Sequence, residues 1–208
     1  FDGDVSGAGA LTVASGTGGL TFGSTVGNGV NISSLDTTGT TGNITLTGNL
    51  DSDGTVLFNG PVLLAADATI TTSDDLVTFS DTLDNAQNLV VATGSGGVTF
   101  TGIVGATPLT SLATTGTTGT ITINNNVTTT GAQTFTGPLS ITNSPDLTTT
   151  NSAVSFSSTI DGNTDLTVSA GNGDVTLSGI VGESTQPSGI SLTGGTLYLN
   201  ADVATASG

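Results

Sequence analysis

The feature that most constrains this chain is that it repeats itself at two scales. Starting at Leu11, Leu89 and Leu166, three segments read LTVASGTGGLTFGSTVG, LVVATGSGGVTFTGIVG and LTVSAGNGDVTLSGIVG, so the starts are offset by 78 and then by 77 positions. The correspondence runs on downstream. TTGTTGNITL from Thr37 recurs as TTGTTGTITI from Thr114, LFNGPVLL from Leu57 as TFTGPLSI from Thr134, and VTFSDTLDNAQNL from Val77 as VSFSSTIDGNTDL from Val154. A long, ordered internal repeat of this kind marks an architecture in which each unit buries its apolar side against the next.

A smaller unit lies inside the larger one: an apolar residue or Thr, any residue, a large apolar residue, a few small residues, then an aliphatic. It recurs around Phe1, Phe22, Leu46, Phe58, Phe79, Phe100, Ile123, Phe135, Phe156, Leu177 and Leu199. In order, the steps between these anchors are 21, 24, 12, 21, 21, 23, 12, 21, 21 and 22, and every Phe of the chain occupies this one position. Period-2 alternation makes each unit a short strand, with Val98 and Phe100 on one side and Thr99 and Thr101 on the other. Clusters of Gly, Asn, Asp and Ser between strands supply the turns. One of the longer steps, holding two or three short strands, is one rung of a parallel β-solenoid. Rungs stack about 4.8 Å apart, so about ten of them make a rod of roughly 50 Å. Phe1, Phe22, Phe58, Phe79, Phe100, Phe135 and Phe156 are then expected to pile into one internal column. The 12-residue step has three readings at this level: a half-rung, an early turn, or two motifs sharing a coil. A row of β-sandwich domains, one per 77-residue repeat, is the alternative fold, but a sandwich has no reason to carry the shorter recurrence from Phe to Phe.

The expected organisation is one continuous segment over residues 1–208, with repeats at 11–88 and 89–165, a partial repeat at 166–208, and with 1–10 closing a preceding repeat. Phe1 corresponds to Phe79 and Phe156, in the middle of a repeat, so the chain reads as a window on a longer array. FDGDVSGAGA at its start is not a signal peptide, and an export signal is expected outside this segment.

Composition removes most chemistry. Lys, Arg, His, Cys, Met and Trp are all absent, and the formal net charge is −16. Straight-chain helix formers are scarce, which supports an all-β chain. Without cations, nucleic-acid binding is not expected, because phosphate neutralisation requires them. No apolar run is long enough to span a membrane. Without His, Cys or Lys there is no Ser-His-Asp or Cys-His site, no Schiff base and no ordinary zinc site. Carboxylate-only chemistry of the glycosidase type needs two acidic residues facing a cleft, and the spacing of the acids here marks none. The expectation is a protein that is not an enzyme, with no catalytic residues and no cofactor.

Calcium is the sharper candidate. Asp51-Ser52-Asp53-Gly54 opens like a calcium loop, but the twelfth position from Asp51 is Val62 rather than Glu. Asp74 and Asp75 form the other dense acidic pair. Across the internal copies Asp51 and Asp53 become Thr128 and Thr130, and only Asp84 and Asp161 hold register. Asp51, Asp53, Asp74 and Asp75 are therefore weak metal candidates. Sequons at Asn31, Asn43 and Asn126 permit glycosylation.

The strings VTFTGIVG, LTSLATTGTTG, VTTTGAQTFTGP and STIDGNTDLTV resemble those of very long bacterial surface proteins built of β-strand repeats, similar to filamentous-haemagglutinin-like and autotransporter adhesins. The resemblance covers nearly the whole chain. It implies a right-handed parallel β-helix exported across a bacterial envelope and placed at the cell surface or in an extracellular or biofilm matrix. The function it implies is a structural fibre segment, polymerising end to end or running within one giant chain. A stalk whose binding tip lies elsewhere is the alternative. Implied partners are further copies of the chain and surface glycans or other cells.

Overall fold

The computed structural model describes residues 1–206; positions 207 and 208, the last of the partial third repeat, lie outside the described residues. Among the described residues there are 25 strands and no helix. Nearly all strands are two to five residues long and most read buried, half-buried, buried, as in Val98–Phe100 and Ile121–Ile123. That is the burial expected of an apolar-Thr-apolar triplet whose ends face inward.

The chain winds through three flat faces per turn. Face I holds nine strands, from Leu20–Phe22 to Gly189–Thr193. Face II holds eight, from Leu50–Ser52 to Leu197–Leu199. Face III holds eight, from Ala10–Thr12 to Ile160–Asp161. Isolated bridges continue face II downward through Val5 and Val26, and face III upward through Val181 and Val203. The strand pairings are parallel and join segments about one turn apart, as when Val56, Val77 and Val98 stack in register. The protein is a parallel β-solenoid of about nine turns, and the sandwich alternative fails because its sheets would be antiparallel.

The Phe residues form three columns rather than the single one expected. Phe1 and Phe22 stack on face I, Phe58, Phe79 and Phe100 on face III, and Phe135 and Phe156 on face II. Ring centroids are 5.1–5.6 Å apart and the rings lie within 20° of parallel. Six of the seven are fully buried, but Phe1, in the lowest described coil, is 53% exposed and is not a core residue. The column changes face at the 12-residue steps. From Leu46 on face I the chain crosses Leu50–Ser52 on face II to reach Phe58 on face III. From Ile123 on face III it crosses Val127–Thr129 on face I to reach Phe135 on face II. Each longer step is thus a whole coil, and each 12-residue step is two faces of one.

The same counting explains the large repeat. Leu11 on face III stacks beneath Leu35, Val56 and Val77, three coils in all. The chain then passes Leu83 on face I and arrives at Leu89 on face II. Leu89 in turn lies beneath Leu112, Gln133 and Val154, after which Ile160 and Leu166 fall on faces III and I. One repeat is three coils plus two faces, so equivalent residues occupy three different faces.

Replacing Phe79 with Ala removes the middle ring of the longest column. It is expected to cost about 3–5 kcal/mol, measured by chemical denaturation. Phe1→Ala, at an exposed ring, is expected to stay within about 0.5 kcal/mol of the parent.

Candidate functional site

The four acidic candidates lie near the corner between faces II and III, and two of their carboxylates, those of Asp53 and Asp74, accept hydrogen bonds from the protein itself. Asp51 points outward from its strand, beside Thr71 of the next coil. Asp53 accepts a hydrogen bond from Asn31 Nδ2 at 2.8 Å. Asp74, in the left-handed region with φ 68°, accepts the Ser95 N–H at 2.7 Å. The Asp75 backbone carbonyl accepts the Thr72 hydroxyl at 2.5 Å. Among the described residues no three metal-ligating side chains come together, and no pocket opens in the surface.

Many of the acidic and amide side chains reach the coil above. Asp67 Oδ1 accepts the Asn88 N–H at 2.8 Å, Asp84 that of Thr107 at 2.9 Å, and Asp174 that of Thr196 at 3.0 Å. Asn49, Asn126 and Asn151 do the same for Thr69, Asp146 and Asn172. Asp161 takes two successive N–H groups, of Ser184 and Thr185, at 2.8 and 2.9 Å. These residues sit at corners, where the chain leaves one ladder before joining the next and its amides would otherwise lack partners. Sequence reasoning missed this role because donor and acceptor are separated by a full coil of chain. The one available signal was the retained pair Asp84 and Asp161, which clamp equivalent loops on different faces.

Hydroxyls serve the same corners from inside. Buried Thr93 donates to the Gly96 carbonyl at 2.8 Å and lies 3.0 Å from the buried Thr117 hydroxyl one coil above. Ser15 and Thr40, their counterparts one repeat earlier, show the same arrangement, with Ser15 donating to the Gly18 carbonyl at 2.9 Å. The recurring TTGTTG string is therefore a corner plug. The Thr triplets alternate as a strand requires: Thr129 and Thr149 are buried, while Thr128 and Thr148 face out.

Each repeat also carries one loop entered through Val-Gly: Val26-Gly27, Val104-Gly105 and Val181-Gly182. All three glycines have positive φ, at 85°, 77° and 76°. At Gly105 a Cβ would also run into the Thr128 carbonyl of the next coil, so both conformation and contact demand Gly. The loops differ in length and content, yet each is held by an Asp below it. Asp4 binds the Ser24 hydroxyl and Asn28 Nδ2, and Asp84 and Asp161 hold the other two.

Three carboxyls are pulled below their ordinary range by hydrogen bonds to the charged form: Asp4 chiefly by the Ser24 hydroxyl, Asp36 by Thr38, and Asp67 by the Asn88 N–H. For Asp67 the lowered value means that its contribution is complete above 3.8 and is lost as pH falls through the folded value. Asp67→Asn keeps an acceptor oxygen for Asn88 but no charge. The parent is expected to be more stable than this variant at pH 7, and the difference is expected to shrink as pH falls below the ordinary carboxylate value of 3.8, read from urea midpoints at neutral and acid pH.

Gln133 is a buried polar group with no role in the ladder. It occupies the inward position between Leu112 and Val154. Its Nε2 reaches the carbonyls of Val127 and Thr148 at 3.2 and 2.9 Å, but Oε1 has no partner. An unpaired buried acceptor costs about 1–3 kcal/mol. Gln133→Val, which restores the residue found at the equivalent Val56, is expected to raise stability by about 1–2 kcal/mol, measured by denaturant midpoint.

No protein-family model matches the chain, and no curated protein or solved structure matches it either.

Proposed function

We propose that this chain is a structural segment of an extracellular fibre, part of a long repetitive bacterial surface protein, and that it has no catalytic role. The observation that carries this reading is where the specialised side chains go. The Asp, Asn and Thr groups that a binding or catalytic site would gather are instead spent on joining each coil to the next. What they build is a rod braced by three continuous ladders.

Composition supports the same reading. A uniformly negative surface of net charge −16 keeps rods apart and soluble. With no Cys or Met the chain offers oxidants no thiol and no thioether, a property suited to exposed material. With no Lys or Arg it also presents no basic residue to proteases that require one. Localisation at the cell surface and association with further copies of the chain belong to this proposal.

The test is immunogold electron microscopy of intact source cells and of material shed from them. Straight, unbranched filaments of uniform width, decorated along their length outside the cell, are the expected result. Label confined to the cell interior would overturn the proposal. Label restricted to stalks beneath a distinct head would replace it with the adhesin-stalk reading.

A further inference from the structure

We propose that the 77-residue repeat is an exchangeable module, and that the number of modules sets both the length of the rod and the angular position of whatever follows. This inference rests on the stacking geometry and does not depend on where the rod is deployed.

The argument begins with the phase of the repeat. Because one repeat is three coils plus two faces, adding or removing one displaces later strands by two-thirds of a turn as well as along the axis. Such a change is tolerated only if the three faces are interchangeable. The repeat copies supply that evidence. Leu89 and Val91 point into the core from face II, and Leu166 and Val168 do so from face I. The loop clamp transfers equally well: Asp84 holds its loop from face I, and Asp161 holds the corresponding loop from face III. The same local sequence thus satisfies its backbone and buries its apolar side wherever it falls around the rod.

A seam can therefore be closed in thought with no loose ends. Removing residues 89–165 joins Asn88 to Leu166. Leu166 then takes the place of Leu89 above Ala68, Val175 stacks on Val77, and Val181 on Leu83, all apolar on apolar. The loop at Ser184 and Thr185 comes to lie over Asp84, the counterpart of the Asp161 that clamps it in the intact chain. The consequence is a stepped device. Each module adds about 18 Å of reach at about 4.8 Å per coil, and turns the next Val-Gly loop to a new face. Three modules, 11 coils, restore the original direction.

The experiment compares the full chain with two deletions, residues 89–165 and the single coil 79–99. Circular dichroism and thermal melts report folding, and small-angle scattering reports length. Both deletions are expected to melt cooperatively, with rods shorter by roughly 18 and 5 Å respectively. Spin labels on T45C and S191C read the rotation. Both sites lie on face I of the intact chain, roughly seven coils or 34 Å apart. In the repeat deletion, Ser191 moves to face II. The labels are expected to remain about 22 Å apart, about 16 Å of it along the axis, against about 14 or 19 Å, three or four whole coils, if the strands had kept their face. Folding of the coil deletion without the repeat deletion would show that the faces are not interchangeable and would overturn the proposal. So would failure of both deletions, or labels at the shorter, same-face separation.

Discussion

Everything in this molecule follows from parallel strands stacked in register. A parallel ladder places each residue directly over its counterpart one coil away, at the strand spacing of about 4.8 Å. Like therefore falls on like, and the sequence is tolerated only if like-on-like is favourable at each position. Aromatic on aromatic is favourable, each stacked pair adding about 0.5–1.5 kcal/mol beyond its buried area, and the three Phe columns exploit it. Aliphatic on aliphatic is favourable through burial. Carboxylate on carboxylate is not, and a chain without cations has nothing to interpose. Accordingly, among the described residues no registered strand pair sets one acid on another. Asp36 lies beneath Leu57, Asp51 beneath Thr71, Asp84 above Leu63 and Asp161 above Ser140. The ladder thus forbids acids to recur at the spacing of one coil, although it leaves Asp84 and Asp161, a full repeat apart and on different faces, free to match.

That constraint also explains why acids and amides collect at corners. A strand interior satisfies its own backbone, whereas a corner leaves N–H groups without ladder partners. An Asp or Asn placed one coil below can accept such a group while its charge stays in water. Asp84 beneath Thr107 and Asn151 beneath Asn172 are two instances. Where a hydroxyl is available inside, as at Thr93, the corner is held from both sides, by the buried hydroxyl on the Gly96 carbonyl and by Asp74 on the Ser95 N–H. Charge, solubility and backbone satisfaction are thus carried by the same few side chains.

Much of the fold was legible in the sequence because the 21-residue step and the alternation of Val-Thr-Phe are properties of the ladder itself. The 12-residue step was not legible, and the reason is geometric. Sequence spacing measures distance along the chain, whereas the face reached depends on how many corners are turned, and corner length varies. The interval from Leu46 to Phe58 hides a strand, Leu50–Ser52, whose Leu-Asp-Ser sequence carries only one apolar residue. Gln133 misleads in the opposite sense: its polarity suggests the surface, but its two-residue offset from Phe135 fixes it inward. The clamp residues were hidden because their partners lie a full coil away, beyond any local motif.

The mismatch between a 77-residue repeat and a 21-residue coil has a further effect on what the copies can hold in common. If the repeat were a whole number of coils, each copy would meet the same face and could specialise for it. Here each copy is placed on a new face, above different neighbours. Only residues that suit every face can be shared among all copies, and those are the inward Leu and Val and the Val-Gly entry to the loop. Loop contents touch no face in common and are free to differ, as Asn28–Asn31, Ala106–Pro108 and Glu183–Ser188 do. The phase of the repeat thus separates a constant scaffold from variable loops, and it does so through stacking geometry alone.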